Sequence, residues 1–336
     1  MEIEFVIAVP PGTTGAELEK IEHLRRAYAR NRVRIGPAES TPAYWCERFG
    51  MARQADWPAA PFRLDTQSAA AHYWLCADPL HLQFDRDRLL IDPQALDDLD
   101  MPQAQALIAT LNAHYAADGI EFRAVSPREW LLRAPRVLDL AVSDPAQAAG
   151  LPAAQALPRG ADAAWARRLS SEIQMLLHQA DTNALREARR QWPVNSLWLW
   201  GGGVRDGGVA PAQRGVTVWS DAIHVRGWAE AAGAQTGARP AAWSAMAPPA
   251  LLGGTNKLLI DLTEIALLPD WAALFQNHWL VPGAVSARTQ DLTFYLTLLS
   301  GGRSFATRLY RSDLFHFFCR KSLAKYVDNI QNRLNS

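Results

Sequence analysis

The chain has 336 residues, 49% of them hydrophobic, and its 34 basic side chains balance 34 acidic ones. This hydrophobic content excludes a largely disordered chain, and the neutral balance argues against a protein whose main partner is a nucleic-acid backbone. The three cysteines lie far apart in the sequence, which excludes a disulfide scaffold and a CxxC zinc site. We therefore expect reduced thiols in a cytoplasmic protein.

The N-terminus predicts a first strand, because Glu2 and Glu4 alternate with Ile3 and Phe5. It carries no basic segment of the kind that begins a signal peptide, and no later stretch approaches the ~18 apolar residues of a membrane span. We therefore expect neither export nor a membrane contact. Further elements predicted in this half are helices over 16–24 and 101–117, and strands over 73–77, 80–84, 89–91 and 120–125.

A segment rich in Ala, Pro and Gly, residues 144–160, is the predicted linker. It separates an N-terminal α/β region, 1–143, from a region over 161–336 that begins with helices. This second region continues as a C-terminal α/β region and ends in a helix. Its predicted elements are helices over 161–178, 184–190, 271–276 and 314–332, strands over 197–200, 216–219, 257–262 and 304–310, and a strand or helix over 292–299.

The alternation of strands and helices favours an α/β fold with a partly parallel sheet flanked by helices. Thirteen tryptophans stand out in the composition. Trp198 and Trp200 alternate along one predicted strand and should share a face. We interpret that face as a core or domain contact, with a ligand-stacking surface as the alternative.

Motifs for catalysis and metal binding are missing from the sequence. The eight histidines are scattered, and no HExxH, GxSxG or Walker A pattern occurs. Asp221 and His224 form a close acid–histidine pair, which we interpret as a loop or helix cap. The glycine run 201–203 follows a predicted strand, so it predicts either a flexible turn or a backbone nest for an anion, with Arg205 supplying charge.

The segment around Asn183 resembles two known families. Its motif consists of Asn183, Arg186, Pro193-Val194-Asn195 and Trp200-Gly201-Gly202-Gly203. Over residues 171–203 it is similar to the lid of archaeal-type cofactor-independent phosphoglycerate mutases. From about residue 57 to residue 320 the chain resembles the RpfE-type regulatory proteins of proteobacteria. This second resemblance also rests on the helix Glu172–His178, on Ala77–Leu82 and on Arg311–Phe318.

The resemblance implies an alkaline-phosphatase-like α/β core with a helical lid segment. It also implies a ligand site in the lid segment for a small phosphorylated or carboxylated metabolite. Arg186 would offer a two-pronged contact to the anion while the asparagines orient it. The alternative reading places Arg186 on a solvated helix face. The candidate ligand-binding residues are Asn183, Arg186, Asn195, Gly201, Gly202, Gly203 and Arg205.

Several departures from the mutase pattern bear on activity. The first strand ends in Val9-Pro10-Pro11-Gly12 without an aspartate, and Asp261 has no histidine behind it until His278. Two catalytic metals need several converging carboxylate or imidazole ligands. We therefore expect a degenerate core without a catalytic metal site or cofactor, in a regulatory or metabolite-binding protein.

Two alternatives remain open at this point. The first is an active 2,3-bisphosphoglycerate-independent phosphoglycerate mutase that uses a divalent metal such as Mn. The second is a structural interaction protein that docks a protein partner through its Trp-rich face.

Overall fold

The computed structural model describes residues 1–9, 33–69, 72–85, 88–91, 95–148, 152–205, 213–246, 255–265, 268, 270–286, 292–300 and 302–309. The helices predicted over 16–24 and 314–332 lie outside these residues. Two compact units are present. The first unit comprises Met1–Tyr44, Pro211–Ala222 and Ala229–Ser336, and the second comprises Trp45–Ala210 and Ile223–Trp228. This division differs from the predicted one, because residues 144–160 fall inside the second unit.

The described elements alternate between strand and helix along the chain. The strands are β1 (Glu2–Ala8), β2 (Val33–Pro37), β3 (Tyr73–Leu80), β4 (Leu82–Asp85), β5 (Arg88–Ile91), β6 (Glu121–Ser126), β7 (Glu129–Ala134), β8 (Ser196–Gly203), β9 (Val216–Trp219), β10 (Gln235–Gly237), β11 (Lys257–Asp261), β12 (Thr293–Ser300) and β13 (Arg303–Leu309). The α-helices are α1 (Thr41–Arg48), α2 (Thr66–Ala69), α3 (Met101–Tyr115), α4 (Pro145–Ala148), α5 (Ala163–His178), α6 (Asp181–Ala188), α7 (Ile223–Ala231), α8 (Trp271–Phe275) and α9 (Val281–Ser286). None of these helices is both long and apolar enough to cross a membrane.

The first unit is built on a seven-stranded sheet in the order β10-β9-β11-β1-β12-β13-β2. Strands β10, β9, β11, β1 and β12 run parallel, whereas β13 is antiparallel to both of its neighbours. The predicted fold class, an α/β fold with a partly parallel sheet, is therefore confirmed, and the sheet of this unit is mostly parallel. The segment over 292–299, which the sequence leaves open between strand and helix, is strand β12.

Strand β1 occupies the centre of this sheet and is buried from Ile3 to Ile7. Burial on both faces is typical of a central parallel strand, so the alternation of glutamates does not mark a solvent face. Glu4 is buried and accepts a hydrogen bond from Thr297 Oγ1 at 2.9 Å. Lys257 Nζ lies 3.1 Å from Glu4 Oε2. The buried carboxylate thus has a charged partner, which offsets the cost of its desolvation.

Aromatic rings form the core of the first unit. Phe5 stacks on Phe294 at a ring separation of 6.0 Å and meets Phe275 edge-on at 5.5 Å. Trp243 and Trp279 also pack around Phe5. Offset and edge-on arrangements of this kind favour aromatic pairs beyond the area they bury. The core therefore holds helix α8 and the π-helical turn Gln276–Leu280 against the sheet.

The second unit contains an antiparallel four-stranded sheet in the order β6-β7-β3-β8. Helix α3 packs on β6, and helix α5 packs on β8. Helix α3 begins at the N-cap Asp100, whose side chain accepts from Gln103 N at 2.8 Å. Gly119, in a left-handed conformation, ends the turn that follows α3. The buried face of α5 has the three- and four-residue spacing of an amphipathic helix and comprises Ala163, Ala166, Leu169, Ile173 and Leu177.

Asp78 on β3 joins several elements of the second unit. Arg63 Nη1 and Nη2 donate to its two carboxylate oxygens at 2.5 and 3.0 Å. Trp200 Nε1 on β8 donates to Asp78 Oδ2 at 2.8 Å, and Trp130 N on β7 donates to Oδ1 at 3.3 Å. Burial disfavours the Arg63 cation, but the acidic groups around it, Asp78 first and Glu129 among the others, together outweigh this effect and raise the pKa of Arg63. The guanidinium is therefore charged inside the unit.

Asp144 is a buried carboxylate with an incomplete set of partners. Its Oδ1 accepts from Gln147 N at 3.0 Å at the start of α4. Its Oδ2 is buried and has no hydrogen-bond partner within the described part of the chain. Burial raises the pKa of Asp144 from 3.8 to about 6. The folded state thus binds this proton more tightly than the unfolded state does, and the ionised carboxylate opposes folding above pH 6.

We expect the substitution Asp144→Asn to stabilise the protein at pH 8 by about 1–3 kcal/mol, because it removes the buried charge and keeps an acceptor for Gln147 N. The gain should shrink as the pH falls towards 4, where the native side chain is protonated. Denaturant unfolding at pH 8 and pH 4 measures both values. Asp100→Asn, at an exposed N-cap, is the control and should change stability by less than about 0.5 kcal/mol. An equal effect of Asp144→Asn at both pH values would contradict this prediction.

Candidate functional site

Asn183 on α6 is buried and holds the chain on either side of this helix. Its Nδ2 donates to the carbonyls of Leu177 and Val194, each at 2.7 Å. Its Oδ1 accepts from Val194 N at 2.9 Å. All three contacts are with main-chain atoms. The side chain therefore fixes the path from α5 through α6 to β8.

Arg186, on the same helix, has 0% of its surface exposed. Its Nε donates to Trp192 O at 2.9 Å, its Nη1 to Gln103 Oε1 at 2.6 Å and its Nη2 to Asp98 Oδ1 at 2.6 Å. The sequence places Arg186 either at an open anion site or on a solvated helix face, and both interpretations require an exposed guanidinium. The guanidinium instead ties α6 to the start of α3.

Asn195 pairs with the main chain of Leu82. Its Oδ1 accepts from Leu82 N at 2.7 Å, and its Nδ2 donates to Leu82 O at 3.0 Å. Arg205 holds the end of the short helix Ala60–Arg63, since its Nη1 donates to Leu64 O at 2.7 Å. The guanidinium of Arg205 also lies 4.9 Å from the ring centre of Phe62.

The glycines at 201–203 belong to strand β8, so the expectation of an exposed turn is wrong. All three are buried. A Cβ on Gly201 would lie 2.7 Å from Ala59 Cβ, and one on Gly202 would lie 2.3 Å from the Tyr73 hydroxyl. The glycine run therefore permits close packing, and the left-handed Gly201 (φ 60°) lies where the pairing of β8 with β3 shifts register.

Trp198 and Trp200 lie on one face of β8, as predicted. Trp198 stands opposite Asp78 in the ladder, and Trp200 Nε1 bonds to the same Asp78. Trp200 is buried, and Trp198 is half-buried with its Nε1 donating to Ser143 O at 2.8 Å. Each residue predicted for ligand binding thus makes contacts that stabilise the fold. A binding role for those residues stays a prediction.

A cavity of about 310 Å³ opens in the second unit between α5 and β8. Six of its fourteen lining residues lie in the segment 171–203 that the sequence singles out, but none of them is one of the candidate ligand-binding residues. Its apolar wall includes Leu82, Val142, Ala156, Leu197, Trp198 and Leu199. Small-molecule sites are commonly mostly apolar and occupy about 300–1,000 Å³. The cavity therefore has the volume and lining of a small-ligand site.

Helix α5 supplies the polar side of the cavity through Arg167, Ser170, Ser171 and Gln174. Ser170, Ser171 and Gln174 lie three, four and seven residues after Arg167, so the four side chains share one face of the helix. Gln174 Nε2 donates to Ser196 Oγ on β8 at 3.3 Å. Arg167, an exposed residue, makes no ion pair with any residue that the structure describes.

The cavity wall at Val142 and Trp198 is fixed from behind. Asp56 Oδ2 accepts from Val142 N at 3.2 Å, and the Ser143 carbonyl holds the indole of Trp198. Burial raises the pKa of Asp56, and hydrogen bonds from main-chain amides oppose this effect. These contacts order the residues that shape the apolar side of the cavity.

A second polar cluster lies at the carboxyl ends of β9 and β11 in the first unit, the edge where open α/β sheets commonly bind ligands. Ser220 Oγ donates to Asp261 Oδ2 at 2.7 Å, and Thr263 Oγ1 donates to Asp261 Oδ1 at 2.6 Å. Burial raises the pKa of Asp261, while these hydrogen bonds oppose the rise. Asp221 forms an ion pair with Arg239.

This edge does not fit a two-metal centre in the residues that the structure describes. There, no three or more His, Cys, Asp or Glu side chains converge as metal ligands would. Both oxygens of Asp261 instead accept protein hydroxyls. His224, predicted with Asp221 as part of a cap, packs edge-on against Trp200 and Trp228. Burial and the nearby Arg63 lower the pKa of His224, which keeps the ring neutral.

No protein-family model matches the chain, and no curated protein matches it. Among solved structures, the chain is similar to a cofactor-independent phosphoglycerate mutase from Thermoplasma acidophilum, at 12% identity and a TM-score of 0.39, over 96% of this chain and 94% of that one. It is also similar to the PH0037 protein from Pyrococcus horikoshii, at 11% identity and a TM-score of 0.46, over 99% and 97% of the two chains. Neither likeness carries an argument about the activity of this chain.

Sequence reasoning missed Arg167, Ser170 and Gln174. The signal was present, because these residues form a polar stripe on α5 that flanks its buried face. A polar helical stripe is, however, also the pattern of a solvated surface. The wall residues on β8 come close to α5 only through the fold.

We expect Arg186→Gln to destabilise the protein by about 2–3 kcal/mol, because the buried guanidinium makes three hydrogen bonds. Arg189→Gln, at an exposed position one residue beyond the same helix, is the control and should change stability by less than about 0.5 kcal/mol. Denaturant unfolding compares the two variants. Equal stability of both variants would remove the structural role that we assign to Arg186.

Proposed function

We propose that this chain is a regulatory protein that binds a small metabolite in the cavity between α5 and β8. The cavity carries the proposal, because it combines an apolar wall with a row of polar side chains from one helix. Its hydroxyl, amide and guanidinium groups can orient a small carboxylated or phosphorylated molecule. The free, buried thiols of Cys46 and Cys76 favour a cytoplasmic place of action.

We further propose that the chain is phosphoglycerate-mutase-like without mutase activity. The arrangement at the carboxyl ends of β9 and β11 supports this view, since Asp261 is engaged by Ser220 and Thr263 and Asp221 is engaged by Arg239. A mutase of the metal-dependent class needs such carboxylates as ligands. Here they stabilise the strand ends and the loops that follow them.

We expect the purified full-length protein to show no phosphoglycerate mutase activity with 3-phosphoglycerate and manganese in a coupled assay. Turnover at ordinary enzyme rates of ~1–1000 s⁻¹ would overturn the non-catalytic proposal. If turnover occurs, Asp261→Asn tests whether the carboxyl edge of the sheet carries it.

We expect some members of a panel of carboxylated and phosphorylated metabolites to raise the melting temperature of the protein. This stabilisation should be lost in Ser171→Phe, because Ser171 lines the cavity from an exposed position of α5 where a larger ring can fill the space. Met175→Phe is the matched control, as Met175 is exposed on the same helix and does not line the cavity. Stabilisation that persists in Ser171→Phe would place the ligand elsewhere.

A further inference from the structure

We propose that the ligand of the cavity between α5 and β8 is a small aromatic carboxylate, with its carboxylate at Arg167 and its ring against Trp198. This inference deepens the proposed function and rests on it, since it assigns a chemical class to the ligand of the same cavity. Three features of the lining carry it: the charge, the apolar wall and the position of the hydroxyl groups.

The charge of the lining selects a monoanion. Arg167 is the one charged side chain among the lining residues, and no ion pair with a described residue neutralises it. A guanidinium binds a carboxylate through two parallel hydrogen bonds, and a single positive charge balances a single negative one. A phosphate monoester carries close to two negative charges near pH 7 and would remain under-compensated here.

The apolar wall of the cavity favours a ligand with a flat aromatic ring. The indole N–H of Trp198 is taken by the Ser143 carbonyl, so Trp198 contributes ring surface to the cavity rather than a donor. Leu82, Leu197 and Leu199 extend this surface. Aromatic rings prefer offset or edge-on contacts with a tryptophan ring. A cavity of about 310 Å³ is at the small end of ligand sites and suits a body of about two fused rings.

The polar groups of α5 set the orientation of the ligand. Ser170 and Ser171 lie within one helical turn of Arg167 and line the cavity with it. The Ser170 hydroxyl can therefore donate to a carboxylate held at Arg167, whereas the Ser171 hydroxyl donates to Arg167 O at 3.1 Å. Gln174 lies two turns from Arg167, and its Nε2 bonds to Ser196 Oγ. The carboxylate is thus expected near Arg167, with the ring directed towards Trp198.

The test uses 2-naphthoate and its neutral analogue 2-naphthamide, titrated into the full chain by isothermal titration calorimetry. We expect 2-naphthoate to bind more tightly than 2-naphthamide. Arg167→Gln should weaken 2-naphthoate binding by about tenfold and leave 2-naphthamide unchanged. Arg168→Gln is the matched control, because Arg168 is an exposed neighbour on α5 that does not line the cavity. Ser171→Phe should abolish binding of both compounds.

The outcomes separate the ligand class from the site. Equal affinity for both naphthyl compounds, or equal effects of Arg167→Gln and Arg168→Gln, overturns the carboxylate assignment and leaves binding in the cavity intact. Failure of both compounds to bind, while metabolites of the panel still bind in a manner sensitive to Ser171→Phe, overturns the aromatic assignment alone. If Ser171→Phe weakens the binding of none of the ligands, the proposed function is overturned as well.

Discussion

The buried ion pair between Arg63 and Asp78 is the interaction on which the second unit depends. Asp78 receives donors from residues 15, 52 and 122 positions away along the chain, from Arg63, Trp130 and Trp200. A carboxylate in an apolar interior is costly unless each lone pair finds a donor. The unit is therefore complete only when the short helix Ala60–Arg63 and the strands β3, β7 and β8 are all in place.

The site follows from this constraint. Trp200 anchors β8 at Asp78, and Asn183 and Arg186 fix the connection from α5 to β8. Helix α5 then lies along the outermost strand of the sheet with its buried face turned inward. The polar stripe of α5 that begins at Arg167 meets the apolar β8 at their common border. Residues that do not line the cavity thus determine where it lies.

The sequence predicts those elements whose hydrophobic period is strong. Strand β11 and the amphipathic helix α5 fall within the ranges expected from pattern alone, and β8 contains its predicted range 197–200 but extends beyond it. The glycine run 201–203 predicts a turn from sequence, but the structure shows a closely packed strand. Both a turn and a close contact between strands favour residues without a Cβ, so the sequence does not distinguish them. The burial of Arg186 could not be predicted, because a buried arginine and a solvated one look alike in sequence until the fold brings Asp98 and Gln103 to it. Local pattern does not encode partners that lie about 80 residues away.

Strand β8 is the last strand of its sheet, so the edge that faces away from β3 has no neighbouring strand among the described residues. An open edge is a template on which another chain can add a strand and begin aggregation. Strand β8 (Ser196–Gly203) carries no charged side chain, so the strand itself has none of the charges that commonly protect such an edge.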